Sequence, residues 1–181
     1  WSSEKTLNAI KEYKEGKTKM TKELQESAIT TLARRGVTTN DIAEGTRTFL
    51  SGKYKDTINE EVLAKSIAHV LYKDEVADII LTAIYLDEQA EVMPDDQPLK
   101  ARLQRDANGH NVDEILAIAI TQQFSAAATV HYGLLDDLKP GLIGEINDKT
   151  DSINVYLDDI LAALIASSAM SYLELLGGNQ Y

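Results

Sequence analysis

Leu157-Asp158-Asp159-Ile160-Leu161-Ala162-Ala163-Leu164-Ile165-Ala166-Ser167-Ser168-Ala169-Met170-Ser171-Tyr172 is the stretch that decides the fold. From Ile160 to Tyr172 it carries no charge, and its apolar and small residues fall on nearly every side of a helix. A helix of that composition is stable in water only when other elements cover most of its circumference. Residues 115–130 have the same charge-free character. The expectation is an all-α single domain in which a central buried helix is surrounded by about five others. Small residues such as Ala126, Ala127, Ala128, Ala162, Ala163, Ala166, Ser167 and Ser168 allow close helix approach and are compatible with a homodimer.

Upstream, helical spacing recurs. Residues 22–35 form a helical pattern that stops at Gly36, a natural left-handed terminator. Thr39 or Asn40 can cap the next helix, which ends near residues 51–52. Thr57 or Asn59 precedes a helix over 60–72, and another over 74–92 runs until Pro94 and Pro98 interrupt it. Two further long helices are expected from about Val112 and about Asn154, separated by a break at Lys139-Pro140-Gly141. No alternating strand pattern, internal repeat or low-complexity tract is present.

The 181 residues include 29 acidic and 18 basic side chains, for a net charge of −11. This balance argues against broad electrostatic binding to nucleic acid or to an anionic membrane. Residues 1–22 go the other way, with six lysines and three glutamates, leaving 12 basic and 26 acidic residues beyond them. They read as a basic N-terminal extension to a domain over 23–181. Their thin apolar stripe of Leu7, Ile10 and Tyr13 suits a solvated helix better than a membrane anchor. The chain has no cysteine, which excludes disulfides, thiolate metal sites and a cysteine nucleophile. The most apolar runs, 115–120 and 160–166, fall short of the ~20 residues that span a bilayer, and residues 1–22 show no signal-peptide pattern. The expected location is cytoplasmic, at most peripheral at the inner face of the membrane.

Each charge-free helix opens with two adjacent acids, Asp113-Glu114 and Asp158-Asp159. Acids in a first turn complement the helix dipole, and Asn111 with Glu114 has capping-box spacing. Against capping stands their company. Asp158 lies on the face of Leu161, Ala162 and Ile165, and Asp159 above Ala162, Ala163 and Ala166. Partly buried carboxylates need a cation, and no Arg or Lys sits one turn from either pair. A hard divalent cation such as Mg²⁺ would satisfy them. Spacing alone leaves capping and metal binding balanced. The connecting segment adds Asp136, Asp137, Lys139, Asn147, Asp148 and Lys149, residue types suited to a phosphate-handling metal site and equally to an exposed loop. His131 suits either a ligand or proton-donor role or a hydrogen-bonded core histidine.

Asn111-Val112-Asp113-Glu114-Ile115-Leu116-Ala117, Tyr132-Gly133-Leu134-Leu135-Asp136-Asp137-Leu138-Lys139-Pro140-Gly141, Asn147-Asp148-Lys149 and Tyr156-Leu157-Asp158-Asp159-Ile160-Leu161-Ala162 occur in that order. The series resembles the phosphatidylglycerophosphatase A family, in its soluble Gram-positive, YutG-like or low-temperature-requirement-C-like branch. Arg35-Gly36-Val37, Asp41-Ile42-Ala43-Glu44, Ile80-Leu81-Thr82-Ala83-Ile84 and Leu86-Asp87 extend the likeness, which covers residues 28–171.

The resemblance implies Mg²⁺-dependent hydrolysis of the phosphate monoester of phosphatidylglycerophosphate to phosphatidylglycerol, on an all-helical fold. It implies Asp113, Glu114, Asp136, Asp158 and Asp159 as catalytic and metal-ligating candidates, with Asp148 as a further metal or supporting residue. Lys139 and Lys149 are the candidate phosphate contacts. The ligand is then an anionic phospholipid headgroup or a small phosphate ester. Water activated by the cation is the simplest nucleophile, with an aspartyl-phosphate route as the alternative. The alternative functions are a phosphatase for a soluble ester and a non-catalytic, metal-binding or interaction protein. Two departures bear on turnover. Phe124-Ser125-Ala126-Ala127-Ala128 stands where the branch commonly has Phe-Gly-Ser-x-Gly, and Asp137 stands where a lysine is usual.

Overall fold

The computed structural model describes residues 19–54, 57–103 and 111–178, which form nine α-helices and no strand. Most of the basic extension expected over 1–22 lies outside the described residues, and its last four positions form the first turn of α1. The helices are α1 (Lys19–Arg34), α2 (Thr39–Lys53), α3 (Glu60–Leu71), α4 (Asp74–Val92), α5 (Pro98–Leu103), α6 (Val112–Thr121), α7 (Ala126–Leu138), α8 (Leu142–Asn147) and α9 (Leu157–Gly178).

Helix α9 is the axis of the domain. Every residue from Ile160 to Ala169 is buried, as the unbroken run of apolar and small side chains requires, and so are Leu157, Asp158 and Asp159 ahead of it. Helices α3, α7, α6 and α2 pack most extensively on it, α8 and α4 less so, and α1 covers α4 from outside. Gly45 lets α2 come close, because a Cβ at that position would collide with the Ile165 side chain. The Tyr172 hydroxyl accepts the Asn59 backbone N–H at 2.9 Å, tying the far end of α9 to the start of α3.

By length and composition α9 could cross a membrane, with mean hydropathy 1.6 over its most apolar stretch, although its unbroken apolar runs are short because serines interrupt them. Yet 67% of that stretch is buried among the other helices. Its hydropathy therefore serves the protein core.

The expected helix over 115–130 is in fact two. Helix α6 ends at Thr121, and Ser125, in extended backbone, accepts the Ala128 N–H at 3.1 Å to start α7. No Pro or Gly marks this break, so only the serine cap signals it. Neither half is buried all round, since Ile115 is 61% and Val130 70% exposed. Thr38 caps α2 through a full capping box with Asp41, rather than Thr39 or Asn40. Helix α9 begins three residues after Asn154, which is buried and accepts a hydrogen bond from Arg35 (2.8 Å).

Candidate metal centre

Antiparallel running of α6 and α7 brings the start of α6, the end of α7 and the start of α9 to one end of the bundle. Asp136, on the last turn of α7, meets Asp158 and Asp159 on the first turn of α9. Carboxylate oxygens of all three lie within 4.8 Å of one another. Asp158 is 3% and Asp159 4% exposed, and Asp113 from α6 is also buried.

The capping explanation for the α9 pair does not hold. The N–H groups of Tyr156 and Leu157 are taken by Asp87 of α4, whose Oδ1 and Oδ2 accept them at 3.1 and 3.0 Å. With the terminus satisfied from outside, Asp158 and Asp159 are turned toward Asp136. On α6 the Asn111–Glu114 box is absent. Asn111 makes no cap bond, and Asp113 Oδ1 accepts the Glu114 N–H at 2.9 Å.

Lys139 supplies the cation that local spacing did not reveal. Its ammonium donates to Asp136 Oδ1 at 2.8 Å and to Asp158 Oδ2 at 2.7 Å. Burial works against its charge, but hydrogen bonds and charges from the two acids outweigh that and raise its pKa above that of a free lysine. The residue closes α7 in the left-handed conformation, φ 42° and ψ 56°, which costs a non-glycine residue about 1–2 kcal/mol. It is the only non-glycine residue with positive φ among the described residues. The two ion pairs and the following Pro140-Gly141 turn hold it there.

One lysine does not neutralise three converging carboxylates. The Asp159 carboxyl is pushed up to about 9, by burial first and then by its hydrogen bond to Asp136 and the charges of Asp158, Asp136 and Asp113. At neutral pH it therefore keeps its proton. The Tyr132 hydroxyl is buried beside these acids without a well-formed hydrogen bond. Burial, then the charges of Asp159 and Asp136 and the closeness of the Asp159 carboxyl, raises its pKa well above the ordinary phenol value. Converging buried carboxylates, one of them holding its proton, have the donor chemistry of an all-oxygen cation site.

Asp158 also lines an open cleft of ≈ 830 Å³ between α4 and the 147–155 segment. Lys149 and Asp148 are on its wall, both exposed. Gly36 sits at φ +92°, a backbone conformation that favours glycine, and its Cα faces the Lys149 ammonium, which an added Cβ would meet at an ordinary contact distance of 3.6 Å. Glu114 is exposed on α6, so the buried cluster is made by the aspartates.

Both departures noted in the sequence fall outside the cluster. Ser125 lies 11 residues before Asp136 on the same helix, roughly 16 Å away along its axis, and Asp137 is exposed. His131 pairs through Nε2 with the Tyr54 hydroxyl at 2.5 Å and packs edge-on against Phe49, with ring centroids 5.2 Å apart. Burial lowers its pKa, so it is a neutral member of an aromatic cluster. Arg35 and Asp87 carry no signal of a role in the sequence around them. Their weight comes from contacts 119 and 70 residues apart in sequence, which no local pattern encodes.

The profile of phosphatidylglycerophosphatase A matches residues 29–174. YutG of Bacillus subtilis strain 168, an uncharacterised protein, is 34% identical over 148 residues, covering 81% of this chain and 89% of its own length. The crystal structure of YpjQ from the same organism superposes with TM-score 0.81 at 30% identity, covering 88% of this chain and 99% of that one. That of the low temperature requirement C protein from Listeria monocytogenes gives TM-score 0.78 at 33% identity, covering 87% and 98%. The ordered acid motifs, the buried axial helix and these matches agree that the chain belongs to the phosphatidylglycerophosphatase A family.

Proposed function

We propose that this protein is a Mg²⁺-dependent phosphatase that hydrolyses the terminal phosphate monoester of phosphatidylglycerophosphate, giving phosphatidylglycerol on the cytoplasmic side. The observation that carries the reading is the convergence of Asp136, Asp158 and Asp159, with Asp158 shared between that cluster and the cleft. Family membership supports metal-dependent phosphatase chemistry.

Asp136, Asp158 and Asp159 would hold the cation, with Asp113 adding negative charge behind them. Oxygen donors alone favour Mg²⁺ or Mn²⁺ over softer metals. When bound, a divalent cation neutralises phosphoryl charge and activates water at neutral pH. Lys149 on the cleft wall meets the monoester oxygens, and Lys139 offsets the charge of Asp136 and Asp158. In the reaction a water oxygen would bond to phosphorus, the bond to the glycerol oxygen would break, and the proton given up by the water would pass through solvent in the open cleft to the departing alkoxide.

A phosphate-release assay tests this. With Mg²⁺, phosphatidylglycerophosphate in mixed micelles is expected to release phosphate, and EDTA to stop it. Release only from glycerol phosphate or p-nitrophenyl phosphate would replace the lipid by a soluble ester. Release from none of them would leave a non-catalytic protein.

Cation binding is expected to tighten with pH. Asp159 holds its proton up to about pH 9, so a cation must displace that proton at neutral pH. Mn²⁺ affinity should therefore weaken by about tenfold for each pH unit below that value, with one proton released per ion. The cation-free protein is expected to show the opposite trend in stability. A carboxyl raised in the folded state from 3.8 contributes stability that is full at low pH and is lost as pH rises to about 9. Asp87, raised to about 7, acts in the same direction. Calorimetric titration in buffers of different ionisation enthalpy counts the protons, and a pH-independent Mn²⁺ affinity would contradict the arrangement.

A further inference from the structure

Behind the acid cluster, Asp87 and Glu91 of α4 and Arg35, which directly follows α1, grip the segment that leads into α9. Asp87 is fully buried and spends both carboxylate oxygens on consecutive backbone N–H groups, those of Tyr156 and Leu157, immediately before Asp158 and Asp159. One turn along α4, Glu91 accepts the Ile153 N–H at 3.1 Å and an Arg35 hydrogen bond at 2.8 Å. Arg35 donates in turn to the Ile153 carbonyl and to Asn154 Oδ1. Asn154 donates to Ser152 Oγ at 2.9 Å. The gripped stretch, residues 151–155, is also cleft wall. A helix terminus is usually capped by the residue preceding it. Here the cap comes from a different helix, 69 residues away in sequence, so the rotation and height of the first turn of α9 are fixed relative to α4.

We propose that Asp87 is a positioning residue for the cation site: by capping Tyr156 and Leu157 from α4, with Arg35 and Glu91 holding the preceding strand of chain, it sets where the Asp158 and Asp159 carboxylates meet Asp136. The inference rests on the cation reading above. Asp87 touches neither substrate nor cation, and its effect passes through backbone geometry. Burial, relieved by the two N–H bonds and by Arg35, brings the Asp87 carboxyl to about 7, so ionisation there depends on the clamp being made.

The test compares Mn²⁺ binding, read by electron paramagnetic resonance, with thermal stability. Asp87→Asn keeps the shape but turns one acceptor into a donor facing a backbone N–H. Asp87→Glu keeps the charge but lengthens the arm. Both are expected to weaken Mn²⁺ binding about tenfold or more. Ile80→Val, a buried change on the same helix away from the clamp, should lower stability and leave Mn²⁺ affinity unchanged. Wild-type affinity in Asp87→Asn, full rescue by Asp87→Glu, or an equal loss in Ile80→Val would overturn the positioning role. If Asp87→Asn does not fold, Arg35→Lys decides, since lysine cannot serve Glu91, Ile153 and Asn154 together. At least threefold weaker binding is expected, and unchanged affinity would refute the clamp. A wild-type protein that takes up no Mn²⁺ would refute the cation reading instead. The clamp is then judged by amide exchange at 156–159, which Asp87→Asn should accelerate and which would stay slow if the clamp were wrong.

Discussion

Asp158→Asn is expected to abolish Mg²⁺-dependent phosphate release, lowering kcat/KM by on the order of 10³-fold, while the protein stays folded. Asp158 is the one residue that belongs to the carboxylate cluster, the Lys139 ion pair and the cleft wall together. Asparagine keeps the volume and one carbonyl oxygen but removes the charge that the cation and Lys139 both use. The loss of function is large because charge stabilisation carries most of the work in phosphoryl transfer. The effect on stability is modest, because Lys139 is partly exposed and keeps Asp136 as its ion-pair partner when Asp158 loses its charge. Circular dichroism and a melting curve, run beside the release assay, separate the two. Retained activity in a folded Asp158→Asn protein would place the chemistry elsewhere.

The second large effect concerns the axis of the fold. Leu164→Ala is expected to cost about 2–5 kcal/mol, read as a lower urea midpoint with an unchanged slope. Leu164 is fully buried on α9, the helix against which α2, α3, α6 and α7 pack. A cavity there cannot be filled by one neighbour moving, since each is held by its own contacts. Leu164 lies six residues beyond Asp158, about 9 Å along the helix. Mn²⁺ affinity of the remaining folded protein should therefore be close to that of the wild type. A loss below 1 kcal/mol would mean that α9 is not packed as described.

The helical class, most helix limits in the first half and the buried axis are legible in residue order. Helix α4 runs from Asp74 to Val92 as expected, because proline ends it and its apolar residues keep one period. Helix α3 starts after Asn59 for an equally local reason, a side-chain cap on Glu61 and Val62. The break between α6 and α7 was not legible. Gln122-Gln123-Phe124-Ser125 contains no strong breaker, and the charge-free run continues through it. What ends α6 is the chance to fold back along α9, and exposed Ile115 and Val130 show that hydropathy overstated the burial. Helix α8, six residues long, fell within what read as a connecting loop.

At the site, the sequence determined which residues carry charge into apolar surroundings. Asp158 and Asp159 stand at the head of a helix that has to be buried, and burial follows from composition because water cannot solvate such a surface cheaply. Which cation answers them, and which group caps that helix, only the tertiary structure decided. Lys139 is 19 residues from Asp158, and Asp87 is 70 from Leu157. Periodicity reports the face a residue occupies on its own helix. It does not report which distant partner that face will meet, because the partner is chosen by the packing of helices around α9 and not by any neighbour in the chain.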